Sequence, residues 1–362
     1  MSRFIVLLWI PVIVLVLVLA GCANAVVVDH IRSLTVLGFD KHNSGYKASA
    51  LYADYADKGR IKVLRGDSNR TRTMIKEMAF QSAQPIRIEK LKMLAFSKEV
   101  AAEGVKTFIK TFCRDPIISF YAILAVVDDS VASLSESLLG KDSQEFPYHL
   151  LEQNMKQEMI PHSTVATVLF DYYGLGRDIS VPYLKLNANK EIEIAGYGIF
   201  KDDRLKLVLN HEEMVHYKLL QGRALRGEIP FVIRKDSKQS PAVFNTTSGK
   251  MKRKISTSDN KTTFTYSFVL EGMVTEYPDW FSLGEEDNTK SLADQLEKQL
   301  QTHLLDLLHK FVKEGVDPLG IGDLTRSRQR GWTEAKFYAA EYDHIQFDVH
   351  IHIRLTKAGI AE

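Results

Sequence analysis

The longest regular pattern in the chain is an apolar stripe in "SLADQLEKQLQTHLLDLLHKFVKEG", residues 291–315. Leu292, Leu296, Leu300, Leu304, Leu308 and Phe311 recur at spacings of four and three, which is the period of one helix face. Ser291 with Asp294 resembles a capping pair, and Gly315 closes the segment. The stripe drifts from a strict heptad, so it predicts a helix packed on a core and not a coiled-coil seam. The opposite pattern occupies the end of the chain. In "HIQFDVHIHIRLT", residues 344–356, Val349, Ile351, Ile353 and Leu355 alternate with Asp348, His350, His352 and Arg354. A period of two predicts a strand with one buried and one solvated face.

Between residues 31 and 140 the chain alternates strand and helix patterns. "IRSLTVLGFD" and "GYKASALYA" predict a hairpin around the turn formers of "DKHNSG". "SNRTRTMIKEMAFQSA" has helical spacing, "RIEKLKMLAFS" predicts a strand, and "KEVAAEGVKTFIKTF" predicts one or two helices before Pro116. "FYAILAVV" is a buried strand, and "DSVASLSESLLG" a short helix capped by Asp129 or Ser130 and stopped at Gly140. Further on, "EIEIAGYGIFKDDRLKLVL" predicts a hairpin around Asp202-Asp203, followed by a helix ending at Gly222. "IPFVIR", "SGKMKRKIST" and "TFTYSFVLEGMVTE" are further strands, the second with Lys250, Lys252 and Lys254 on one face. The alternation predicts an α/β to α+β, multi-domain chain of mixed sheets with packed helices. The expected division is a signal peptide over 1–21, an N-terminal α/β domain over 22–187, and a C-terminal α/β region over 188–362, with a split near 245 inside the last.

The N-terminus carries a different pattern. Arg3 precedes an apolar run from Phe4 to Ala20, which has the length either of a membrane anchor or of a signal-peptide core. Leu19-Ala20-Gly21-Cys22 ends it with an apolar residue, two small residues and a cysteine. That is a lipobox, and it predicts cleavage between Gly21 and Cys22 with a diacylglyceryl group on the Cys22 thiol. The other cysteine, Cys113, then has no disulfide partner in the chain and reads as a small buried hydrophobe. Composition is globular, with 45% hydrophobic and 25% charged residues. A formal net charge of +2 gives no surplus for nucleic acid.

Candidate chemistry is sparse. "HEEMVH" resembles a zinc-protease helix, but His211 and His216 are five positions apart and diverge by about 140° around a helix. Glu212 and Glu213 suit the first turn of that helix through its dipole. His350 and His352 share a strand face and could chelate an ion, but simple alternation of polar and apolar positions accounts for them. "YGLGRD" lacks the third glycine of a phosphate cradle. No P-loop, G-x-S-x-G or C-x-x-C occurs. The expectation is therefore a non-enzymatic protein with no catalytic residue, no cofactor and no bound metal.

Several segments, in order, resemble the Ger(x)C family, the lipoprotein C subunit of spore germinant receptors. They are the lipobox at Cys22, the strand ending in Gly38 and Asp40, the helix–strand–helix segment ending in Arg114 and Pro116, "EIEIAGYGIFKDDRLKLVLNHEEMVHYKLLQG", and "VDPLGIGDLTRSRQRGW". The family often has a Trp-Asp pair after the lipid cysteine, where this chain has "ANAVVVD". The resemblance implies a three-domain lipoprotein on the outer face of the inner spore membrane. Its implied partners are the integral membrane A and B subunits of the receptor, with membrane lipid held through Cys22. It implies a part in nutrient-triggered germination and supplies no catalytic residues. The alternative is a lipid-anchored solute-binding protein that captures the germinant directly, although the two similar lobes usual in such proteins are not visible in the sequence.

Overall fold

The computed structural model describes residues 31–356, apart from 44, 69–70, 224, 259–260 and 284–285. Gly21 and Cys22 lie outside the described residues. The chain is a multi-domain α+β protein built on two mixed sheets.

The first sheet grows from a hairpin of β1 (Arg32–His42) and β2 (Gly45–Asp54), extended by antiparallel β3 (Arg60–Ser68). After α1 (Thr71–Phe80), the two-residue β4 (Ile86–Arg87) and then β5 (Met93–Ser97) run parallel to β1. α2 (Lys98–Glu103) leads through two short helical turns, Lys106–Phe108 and Ile109–Cys113, to parallel β6 (Ile123–Val127). Three helices, α3 (Val131–Leu138), α4 (Pro147–Lys156) and α5 (Val165–Tyr173), connect to parallel β7 (Ser180–Leu186). β8 (Ile192–Lys201) and β9 (Arg204–Leu209) add an antiparallel meander at the far edge. The order is β3-β2-β1-β5-β6-β7-β8-β9, with β4 beside the start of β1.

β5 and β6 are buried at every position because helices cover both faces of the sheet. Val36, Met93, Ala95, Ile123 and Ala125 face α3 and α4. Their neighbours Leu37, Phe39, Leu94, Phe96 and Leu124 face α1, α2 and α5. On the second face the rings of Phe39 and Phe108 lie 4.5 Å apart, and those of Phe96 and Phe108 5.1 Å. Burial of each such ring contributes roughly 1.5–3 kcal/mol. Cys113 sits in this layer at 2% exposure, and burial pushes its thiol up to about 12. Native protein is expected to leave Cys113 unmodified by iodoacetamide at pH 8, while unfolding in urea exposes it to full alkylation. Peptide mass analysis reads the difference, and rapid native labelling would contradict the packing.

α6 (His211–Gln221) follows β9 and leads to the second sheet. β10 (Gly227–Lys235), β11 (Lys238–Ser258) and β12 (Lys261–Glu276) form an antiparallel meander. α7 (Glu286–Glu314) crosses over to β13 (Gln346–Leu355), which runs parallel to β12. The apolar stripe of α7 is buried. The capping expectation at Ser291 needs correction, because the helix begins at Glu286 and Ser291 lies inside it. Asn288 and Thr289 hold the first turns to the preceding loop by donating to the carbonyls of Ser282 and Leu283. The "RIEKLKMLAFS" strand is also shorter than expected: a turn closed by Leu91 N–H to the Ile88 carbonyl leaves only Met93–Ser97 as the main strand.

Buried side chains from the α3–α4 face of the first sheet continue without a break into the second sheet and α7. Among the described residues, no helix is long and apolar enough to cross a membrane.

Candidate functional site

The two sheets are joined by a buried polar clasp. Its first strand of contacts comes from the turn between α5 and β7, residues 174–178. Its second comes from the segment after α7, where α8 (Ile321–Arg326) begins. Asp317 is fully buried. Its Oδ1 accepts from Ile321 N–H at 2.8 Å, and its Oδ2 from Gly322 N–H at 2.7 Å and Tyr338 Oη–H at 3.0 Å. The carboxylate thus satisfies the free amides at the start of α8. Asp178, 5% exposed, lies next to it. Asp178 Oδ2 accepts from the Asp317 N–H at 2.6 Å and from Lys201 Nζ at 3.2 Å, while Asp178 N–H donates to the Asp317 carbonyl at 2.9 Å. Burial pushes the Asp317 carboxyl up to about 7 against the pull of its donors, and burial also raises Asp178.

Close backbone approach completes the clasp. Gly176 has φ +73°, and a Cβ there would lie 2.4 Å from the Asp323 nitrogen and the Gly322 carbonyl carbon. Only glycine fits this position. Gly176 N–H donates to Glu334 Oε1 at 2.7 Å, and Asp323 N–H donates to the Gly176 carbonyl at 3.0 Å. Arg177 pairs with Asp323 and stacks 4.1 Å above the Phe170 ring. The G-x-G of "YGLGRD" is therefore a contact between two loops and not a phosphate cradle.

A cavity of about 250 Å³ opens beside the clasp, lined in part by His162, Asp171, Arg177, Arg223 and Arg253. Two of its three arginines have partners: Arg177 carries Asp323 with Asp171 at 3.9 Å, and Arg253 donates to the Gln221 carbonyl at 3.2 Å. Ser180, also on the wall, is engaged by the Tyr217 hydroxyl at 2.9 Å. The described arrangement binds the two halves together and sets no activated nucleophile against a base.

The other sequence candidates separate. His211 is exposed at the first position of α6, while His216 is buried against α7. Asn210 and Glu213 cap that helix reciprocally, and Glu213 also pairs with Lys310 at 2.6 Å. On β13, His350 and His352 share the exposed face, and His352 faces Glu297 at 3.5 Å. Gly38 and Asp40 have packing roles. A Cβ at Gly38 would lie 2.2 Å from Val131 Cγ1, and the Asp40 carboxylate accepts from Val131 and Ala132 N–H at 2.7 and 2.8 Å. They seat the N-terminus of α3 on β1. Asp178 and Arg177 were missed as interaction residues in the sequence; their only signal was the glycine spacing just before them.

Comparison with known proteins covers both halves. Residues 24–186 match the family described as the spore germination protein N-terminal domain, and residues 195–359 the family described as spore germination B3/GerAC like, C-terminal. Over 360 residues the chain is 23% identical to the spore germination protein GerQC of Bacillus cereus, covering 98% of this chain and 99% of that one. The crystal structure of the GerBC protein has the same fold, with a TM-score of 0.60 at 17% identity over 89% of this chain and 97% of that chain.

Proposed function

The chain belongs to the spore germination B3/GerAC-like family, and from that premise we propose that it is the C subunit of a germinant receptor. In this reading it is anchored through a lipid on Cys22 to the outer face of the inner spore membrane, and it assembles there with the integral membrane A and B subunits. Its contribution to nutrient-triggered germination is protein–protein assembly and not catalysis. The observation that carries the reading is the family match over both halves of the chain. The buried clasp supports it, since it joins the two sheets into one body suited to present a fixed surface.

Direct capture of the germinant is the alternative, and the arginine-lined cavity is where it would occur. Titration calorimetry of the full chain in detergent, with amino acids and sugars in turn, separates the two. The assembly reading expects no saturable heat. One-to-one binding that is lost in Arg223→Ala would establish capture in its place.

A further inference from the structure

We propose that Glu212, His216 and His303 form a divalent-metal site of the zinc class that clips α6 to α7. The sequence offered only His211 as a companion for His216, on the wrong side of the helix. The fold supplies two better ones. Glu212 is one turn before His216 on α6, and His303 comes from α7. One ligand atom from each of the three lies within 4.8 Å of the others. His303 Nδ1 stands 3.8 Å from Glu212 Oε1, and the two imidazole rings are 5.1 Å apart between centroids.

The second observation is the state of His216. It is 3% exposed, and its Nε2 meets no hydrogen-bond partner in the protein. A buried ring nitrogen without a partner is costly, and a metal ion would satisfy it. Two imidazoles and one carboxylate are the donor set of open zinc sites, with a fourth position left for water. A tetrahedral site with bonds of about 2.0–2.1 Å needs its ligand atoms about 3.3 Å apart. Reaching that takes small rotations of Glu212 and His303, whose side chains are 56% and 38% exposed, while His216 stays fixed. Lys310, a neighbouring cation on α7, is held by Glu213.

The ion would join the helix that follows the first sheet to the crossover helix of the second. Binding to the folded chain alone would raise its stability by mass action. The test uses the full chain in detergent, stripped with chelator and titrated with zinc sulfate against a chromophoric competitor, with melting followed in parallel. The expected result is one zinc per chain and a melting temperature higher by several degrees. Glu212→Gln, at an exposed position, and His303→Ala, at a partly exposed one, should each weaken binding by at least about tenfold, and Glu212→Gln should leave metal-free melting unchanged. Cobalt substitution should give d–d absorption that disappears in His303→Ala. Absence of saturable binding overturns the proposal. So does binding that survives both substitutions, or that is lost instead in His350→Ala or His352→Ala.

Discussion

Replacing Asp317 with alanine is expected to destabilise the folded chain by about 3–5 kcal/mol and to lower its melting temperature by roughly 10 °C. The substitution leaves the buried Ile321 and Gly322 amides and the partly buried Tyr338 hydroxyl without their acceptor. Removing the carboxylate also frees the start of α8, so the turn at Asp178 loses its fixed partner. Calorimetry reads the change, and an unaltered melting temperature would mean that the clasp does not hold the halves together. The same site has a pH signature. Burial pushes Asp317 up to about 7 from its usual 3.8 and raises Asp178 as well, so the folded chain keeps protons that the unfolded chain has released. The stability contributed by these groups is full below about pH 4 and is lost as pH rises toward 7. Asp317→Asn cannot ionise, and it is expected to flatten that decline. An unchanged slope between pH 4 and 7 would contradict the assignment.

Cys22→Ala is expected to abolish lipidation and to reduce nutrient germination strongly at native expression. Each buried methylene of an acyl chain contributes roughly 0.8 kcal/mol, and two chains make release from the bilayer slow. Confinement at the membrane raises the effective concentration toward subunits there to about the millimolar range, so weak contacts suffice. Without the lipid the same contacts have to form from dilute solution. An uncleaved transmembrane helix in place of residues 1–22 is expected to restore much of the activity. If that form reaches the membrane at normal level and germination still fails, confinement is not what the lipid provides.

Local pattern made much of the fold legible. The hairpin of β1 and β2, the buried β6, the Ser130 cap of α3 and the Asp202-Asp203 turn all follow from residues near in sequence. The length of α7 did not, because its first turns are held by Asn288 and Thr289 reaching back into a loop and not by a box at Ser291. The resemblance marked Gly38, Asp40 and the aspartate–glycine element at Asp317, but what these residues do needed coordinates. Asp178 and Asp317 are 139 positions apart, and no spacing rule links them. The trio at His216 was hidden for the same reason: its third member arrives on a different helix.

If this chain works by assembling with membrane subunits, those subunits stay with it when it is drawn from the membrane. Purification of the tagged full chain from detergent-solubilised spore membranes tests it directly. The expected result is recovery of the integral membrane A and B subunits of the receptor with it in fixed ratio, reduced in Asp317→Ala. Recovery of the wild-type chain alone, from membranes that contain both subunits, would contradict it.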